Sequence, residues 1–239
     1  MATQTKRQSA SVRGDLFPRI QAEESFKSKV YVALKDAIIK MDVYSGTDPV
    51  MLDERELSDR LGVSRTPIRE AVAMLEQDGF LRTVPRRGIL VVRKTKREVI
   101  EMIQAWAALE SMAVRLIVTN PEIDVSPLRQ IFKEFSDSHA PSEHLSEYSS
   151  ANINFHQAII RMSGSGVLAD MTGNLLLHVR GIRQLTIGKD DRPQQSMKDH
   201  LGILNAIENR DVELAERLSR DHTLGLAAYV DAHGDELFD

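Results

Sequence analysis

Asp53-Glu-Arg-Glu-Leu-Ser-Asp-Arg-Leu-Gly-Val-Ser-Arg-Thr-Pro-Ile-Arg-Glu-Ala-Val-Ala-Met-Leu-Glu-Gln-Asp-Gly79 reads as two short helices meeting at a tight turn. Asp53 suits the cap of the first, and Glu56, three residues on, suits the return half of a capping box. Leu52 and Leu57 sit where a hydrophobic staple packs, and Leu57 and Leu61, one turn apart, form the buried stripe. Gly62 supplies the left-handed residue that ends the helix. The second helix starts three residues later, with Thr66 as cap and Pro67 in the first helical position, where no N–H is needed. Ile68, Ala71, Val72 and Leu75 share a face that buries against the first helix. Arg65 and Arg69 are left on the opposite face at the helix start, where a recognition helix meets the major groove.

Downstream, Leu81 to Val84 and Ile89 to Val92 are β-prone runs separated by Pro85-Arg86-Arg87-Gly88, which predicts a hairpin with a basic tip. Two helices and a basic hairpin make a winged helix-turn-helix that grips double-stranded DNA. The competing reading is a helical hairpin on a small sheet with its arginines merely solvated. The number of basic residues converging on one side favours the first.

The same stretch resembles the DNA-binding domain of the GntR family of bacterial transcription regulators. The resemblance rests on Glu56-Leu57, the run Leu61-Gly62-Val63-Ser64-Arg65-Thr66-Pro67-Ile68-Arg69-Glu70-Ala71, Leu75, Gly79-Phe80-Leu81 and Arg86-Arg87-Gly88. It implies base or phosphate contacts for Arg55, Arg65 and Arg69, and phosphate contacts for Ser64 and Thr66. It also implies a minor-groove approach by the wing around Arg86, Arg87 and Gly88.

Length and charge agree with a two-part molecule. The chain has 239 residues, enough for one large domain or two modest ones, and is 42% hydrophobic and 28% charged, as ordinary globular proteins are. Cysteine is absent, which excludes disulfides and thiolate chemistry and is compatible with a reducing cytoplasm. No apolar run approaches the ~20 residues of a membrane span, and no signal-peptide core opens the chain. The formal charge of −4 is unevenly spread. Residues 1–96 carry 18 Lys/Arg against 13 Asp/Glu, a net +5, and residues 97–239 carry 13 against 22, a net −9. The basic part suits a polyanion and the acidic part a different partner.

In chain order, residues 1–24 are polar and aperiodic and read as a mobile tail. The DNA-binding domain then occupies 25–93, opening with a helix over about 25–41 that buries Val30, Leu34, Ala37 and Ile38. A basic connector covers 94–97, and an all-α domain covers 98–236. Six helical segments are readable in that domain, near 97–119, 125–138, 143–163, 166–187, 195–209 and 211–233, with no strand signal among them. Ala107, Ala108, Met112 and Leu116, and later Ile203, Ala206 and Ile207, show core spacing. The expected fold is therefore mostly α: a winged helix-turn-helix followed by a six-helix bundle.

All seven histidines (His139, His144, His156, His178, His200, His222 and His233) fall in the second part. Asn152 and His156 share a helix face, and the 22 residues between His200 and His222 suffice for a helix, a turn and a return. Antiparallel packing of those helices would bring His156, His200 and His222 together. Neutral imidazoles suit zinc, nickel and similar divalent ions. Widely separated histidines are also ordinary hydrogen-bonding residues, and spacing does not choose between the two.

Residues 97–236 resemble the FCD effector domain of one GntR branch, in its shorter VanR-like form. The resemblance rests on Leu109-Glu110, Phe155-His156, Ile159, Ser163-Gly164, His200, Ile203, Ala206-Ile207, Arg210-Asp211, Ala215 and His222. It implies a divalent metal on one acidic residue and three histidines, helping to hold a small carboxylate. Two departures stand out. Asn152 occupies the place of the acidic ligand, and Trp106 occupies the place of an arginine that would meet the effector's carboxylate. Arg180, Arg183, His178 or Asn174 on the fourth bundle helix are candidates to replace it, and Trp106 suits either an apolar pocket wall or the core.

The function expected is a cytoplasmic, homodimeric, ligand-responsive transcription repressor acting on a DNA operator, with a small organic acid as effector. Two alternatives are a metal-dependent hydrolase fused to a DNA-binding head, for which Glu110 is only a nominal general base, and a DNA-architectural protein without an effector.

Overall fold

In the computed structural model the described residues are 26–238 apart from 42, 45–47, 134 and 136–140, with the side chains of 236 and 237 also left aside. The tail expected over 1–24 and His139 lie outside them.

The first helix, α1 (Phe26–Lys40), buries Val30, Leu34 and Ile38 at a strict spacing of four against the recognition helix. Ala37, expected inside, is exposed, because it stands one helical step off that line. A two-residue strand, β1 (Met51–Leu52), precedes α2 (Glu54–Leu61), α3 (Arg65–Gln77), β2 (Leu81–Val84) and β3 (Gly88–Val91). The three strands form an antiparallel sheet in the order β1-β3-β2, so the wing is a hairpin with a third strand along its edge. β1 is too short to show periodicity, and Leu52 pairs with Ile89 in the ladder.

Local chemistry at α2 follows the sequence in part. Asp53 Oδ1 accepts from the Arg55 and Glu56 amides at 2.9 Å each. Glu56 does not return to the cap; it pairs with Arg60 at 2.7 Å. Gly62 ends the helix at φ 64°. No residue of α2 is fully buried, and Leu61 is 37% exposed, because this helix packs on α3 from the outside. The cap of α3 is Ser64, not Thr66, and Pro67 is the third helical residue. Proline is tolerated there because N–H groups of the first turn have no acceptor within the helix. Arg86 turns the hairpin at φ 63°, and Gly88 follows at φ 110°. A Cβ at Gly88 would sit 2.8 Å from the Leu52 carbonyl oxygen, so β1 can pass only a glycine there.

The expected connector ends in a helix start. Thr95 and Glu98 form a reciprocal capping box that opens α4 (Lys96–Thr119). The bundle continues with α5 (Ser126–Gln130), α6 (Leu145–Met162), α7 (Gly166–Thr186), α8 (Arg192–Glu208) and α9 (Val212–His233), followed by the short α10 (Asp235–Phe238). The segment expected over 125–138 is helical first at α5 and then turns at Ile131 and Phe132. Helix α8 starts three residues before the expected 195, because Pro193 falls in its first turn, where proline belongs. Among the described residues of this part there is no strand.

Helix α4 lies at the centre, packed along α9 and flanked by α6 and α7. Its buried face holds Val99, Ile103, Trp106, Ala107, Glu110, Ala113, Val114 and Ile117. Of the residues expected inside, Ala108, Met112 and Leu116 face outward, with Met112 46% exposed. The helix carries two apolar stripes, and spacing cannot say which one meets the bundle. At 24 residues, with a window of mean hydropathy 1.2, α4 is long and apolar enough to cross a bilayer, yet half of that window is buried in the bundle and it carries the inward Glu110.

The two parts meet through α7. The Tyr44 hydroxyl lies 2.6 Å from His178 Nδ1 and accepts from the Lys94 amide at 3.3 Å. The Phe80 ring stacks on His178 with centroids 6.5 Å apart, and Lys35 Nζ donates to Asn174 Oδ1 at 3.1 Å. Burial, reinforced by the Lys94 charge, pulls the His178 pKa down to about 4. His178 is therefore a neutral hydrogen-bond partner of the Tyr44 hydroxyl at physiological pH.

A folded pKa near 4 against about 6.5 in the unfolded chain means that acid favours unfolding. Between pH 7 and pH 5 this group removes about 2 kcal/mol of stability. In urea titrations at the two pH values, the His178→Phe protein should lose about that much less than the wild type. Equal losses would contradict a buried neutral His178.

Candidate functional site

Two surfaces carry functional chemistry. On the first, Arg55, Ser64, Arg65, Thr66 and Arg69 are exposed at the starts of α2 and α3, with Arg86 and Arg87 at the wing tip beside the half-buried Gly88. Arg69 Nε lies 2.9 Å and Arg65 Nε 4.0 Å from the Glu54 carboxylate, which raises the Arg69 pKa. Both guanidinium side chains remain more than half exposed, at 68% and 56%. Exposed pairs of this kind are weak, because solvent and salt screen them. Glu54 therefore orients two arginines that a phosphate or a base edge can take over.

The second surface is internal. His156 on α6, His200 on α8 and His222 on α9 each place a ring nitrogen within 4.8 Å of the other two, the one such cluster among the described residues. His156 Nε2 and His200 Nε2 are 3.4 Å apart. The other ring nitrogens have partners: His156 Nδ1 is 2.5 Å from Glu110 Oε1, His222 Nδ1 is 3.1 Å from Asp199 Oδ2, and His200 Nδ1 is 3.3 Å from the Tyr148 hydroxyl. In the tautomer whose Nδ1–H groups donate to these oxygens, all three Nε2 lone pairs converge. Burial holds His156 and His200 well below the usual histidine pKa, and His222 below it, so the imidazoles are neutral.

Glu110 anchors the cluster from below. Its Oε2 accepts from Thr223 Oγ1 at 2.9 Å and from Trp106 Nε1 at 3.2 Å, and its side chain is fully buried. Burial raises its pKa, while the nearby Arg183 guanidinium works in the opposite direction. The carboxylate named as a nominal general base is thus occupied by three partners. Asn152 Nδ2 donates to Ser196 Oγ at 3.2 Å, while Asn152 Oδ1 and His222 Nε2 are buried with no hydrogen-bond partner. Orphaned buried acceptors are costly, and these two beside the histidine cluster have the donor chemistry that a divalent cation takes.

A cavity of about 200 Å³ opens beside the cluster, bounded by α6, α7, α8 and α9 and lined in part by Asn152, Arg183, Arg192, Ser196, Asp199 and His222. Of the residues expected at the effector, none of Trp106, Asn174, His178 and Arg180 lines it. Trp106 donates to Glu110 and borders a separate groove with Ile160 and Leu176. Asn174 and His178 face the DNA-binding part, and Arg180 is half-buried outside the cavity. The cationic wall is Arg183, which is 7% exposed, together with Arg192, which the sequence reading passed over. Arg183 was among the expected candidates, and it falls on the buried face of α7 with Leu168, Thr172, Val179 and Thr186. Nothing comparable marked Asp199 or Tyr148 as partners of the histidines.

A winged helix joined to a helical bundle with a polar internal cavity defines a DNA-binding regulator with a sensory domain. Residues 26–91 match the bacterial regulatory proteins of the gntR family, and residues 101–225 match the FCD domain. The chain belongs to the GntR family of transcription regulators, in the branch that carries an FCD domain. It is 26% identical over 212 residues to an HTH-type transcriptional regulator of Streptomyces ambofaciens, covering 87% of this chain and 88% of that one. It is 25% identical over 206 residues to the transcriptional repressor RspR of Escherichia coli, covering 85% and 88%. Among solved structures, E. coli McbR/YncC shares the fold with a TM-score of 0.69 at 21% identity, over 88% of this chain and 99% of that one.

Replacing Glu110 by Ala strands the His156, Trp106 and Thr223 groups in the core and should cost about 3–5 kcal/mol in denaturant unfolding. Glu110→Gln, which keeps an acceptor, should cost clearly less. Equal losses would mean that the carboxylate's hydrogen bonds do not hold this core.

Proposed function

We propose that the protein is a homodimeric repressor in the bacterial cytoplasm whose bundle senses a small organic acid beside a divalent metal ion. The observation that carries the reading is the convergence of three Nε2 atoms whose Nδ1 atoms are held from behind by Glu110, Tyr148 and Asp199. That arrangement of outer partners is what orients imidazoles for a metal. His156, His200 and His222 would hold the ion, with the Asn152 amide oxygen as a neutral and weaker fourth donor. A bound dication would supply a site for the effector's carboxylate. The cavity beside it counts against an effector-less architectural protein, whose bundle interior would be filled by side chains.

Helix α7 supplies the coupling. Arg183 and Thr186 face the cavity, and about one and a half turns earlier His178 meets Tyr44 and Phe80 of the DNA-binding part. A ligand that prefers one position of α7 thereby biases the position of the DNA-reading helix, and operator binding changes with it. The outward stripe of Ala105, Ala108, Met112 and Leu116 on α4 supports pairing with a second copy, and a two-fold pair of heads suits a palindromic operator. RspR, a similar chain, is named a repressor.

Two measurements test the reading. Arg65→Ala or Arg69→Ala should each weaken operator binding by about 1–3 kcal/mol at fixed salt, and unchanged binding would refute their role. Asn152→Asp should bind zinc more tightly in calorimetry than the wild type, because a carboxylate is the stronger donor to a dication. Zinc uptake by neither protein would remove the metal from the proposal.

A further inference from the structure

The cavity holds more cationic capacity than one carboxylate uses. Arg183, at its inner end, makes one long hydrogen bond, to Thr223 Oγ1 at 3.4 Å, and its buried Nε has no partner. Arg192 opens α8 on the same cavity, with its guanidinium 4.1 Å from the Tyr229 ring centroid and its Nε likewise buried without a partner. The Arg192 charge is felt at Arg183: it is among the groups that pull the Arg183 pKa down to about 10, behind burial itself.

The nearby anions are already committed. Glu110 accepts from Trp106 and Thr223 and meets His156, while Asp199 accepts from Gln195 and meets His222. Asp190 acts on Arg192 only through its charge, from an exposed position. Asn152 contributes no charge. Two guanidinium groups therefore line one cavity, each with a buried Nε that has no hydrogen-bond partner. The start of α8, with Gln195 and Ser196 on the wall, adds the positive end of a helix dipole on the Arg192 side.

We infer that the effector is a small dicarboxylate, one carboxylate lying at the Arg183 and histidine end and the other at Arg192 by the start of α8. The volume admits it: the cavity of about 200 Å³ has room for a small diacid. A paired guanidinium fork recognises a carboxylate with two parallel hydrogen bonds, which an ester or a methyl group cannot replace. This inference rests on the organic-acid reading above and specifies the number of charges.

The test is calorimetry on the zinc-loaded full-length protein with succinate, glutarate, their monomethyl esters, butyrate and inorganic phosphate. At least one dicarboxylate should bind about ten-fold or more tightly than its monoester and butyrate. Arg192→Gln should abolish that advantage while leaving butyrate affinity and zinc content within about two-fold of wild type. Arg192→Lys, which keeps the charge but loses the fork, should fall between and guards against a misfolded Gln variant. Equal binding of diacid and monoester, equal loss of both in Arg192→Gln, or phosphate binding as tightly as the diacid would each overturn the inference while leaving an acid-sensing bundle in place. Binding of no carboxylate at all would overturn both.

Discussion

The Glu110 carboxylate is buried at the junction of three helices, and the bundle's interior is arranged around satisfying it. It comes from α4, meets His156 from α6, and accepts from Thr223 of α9, with Trp106 of its own helix as a further donor. A buried ionisable group without partners costs several kcal/mol, so these contacts specify how α4, α6 and α9 register against one another. The same demand turns His156 so that its Nε2 faces His200 and His222. The structural requirement and the sensory geometry are one network, and substitutions there disturb both.

Trp106 shows how such a network absorbs a change. The resemblance places an arginine at this position, yet the indole here donates to Glu110 from within the core. The guanidinium groups on the cavity are Arg183 and Arg192, whereas Trp106 borders a separate groove. Arg183 belongs to α7, the helix that also carries His178 and Asn174 to the DNA-binding part. One helix therefore reaches both the cavity and the DNA-reading head.

The charge distribution has the same logic. The exposed arginines of α2, α3 and the wing are held only by weak surface pairs such as Arg69 with Glu54, which can be exchanged for phosphate at little cost. The buried arginine of the bundle, Arg183, keeps an Nε without a hydrogen-bond partner on the cavity wall. One class of guanidinium stands on the surface, where a large, salt-sensitive polyanion can reach it. The other lines a small cavity.

The helix-turn-helix, the wing and the succession of bundle helices were legible in sequence because each depends on neighbours within a few residues: the Asp53 cap, Gly62 at positive φ, the basic hairpin tip and the apolar periodicities. The resemblance of the DNA-binding part was legible for the same reason, in contiguous motifs, whereas that of the bundle rested on residues dispersed from Leu109 to His222. Tertiary packing alone decided which apolar stripe of α4 faces inward, that Leu52 joins a third strand, and that Asn174 and His178 belong to the junction between domains. It also decided that Arg183 and Arg192 share a cavity. Those facts depend on how separate helices are rotated about their axes, and a rotation that buries Glu110 is favoured by partners that lie from 46 to 113 residues away in the chain, beyond the reach of any local pattern.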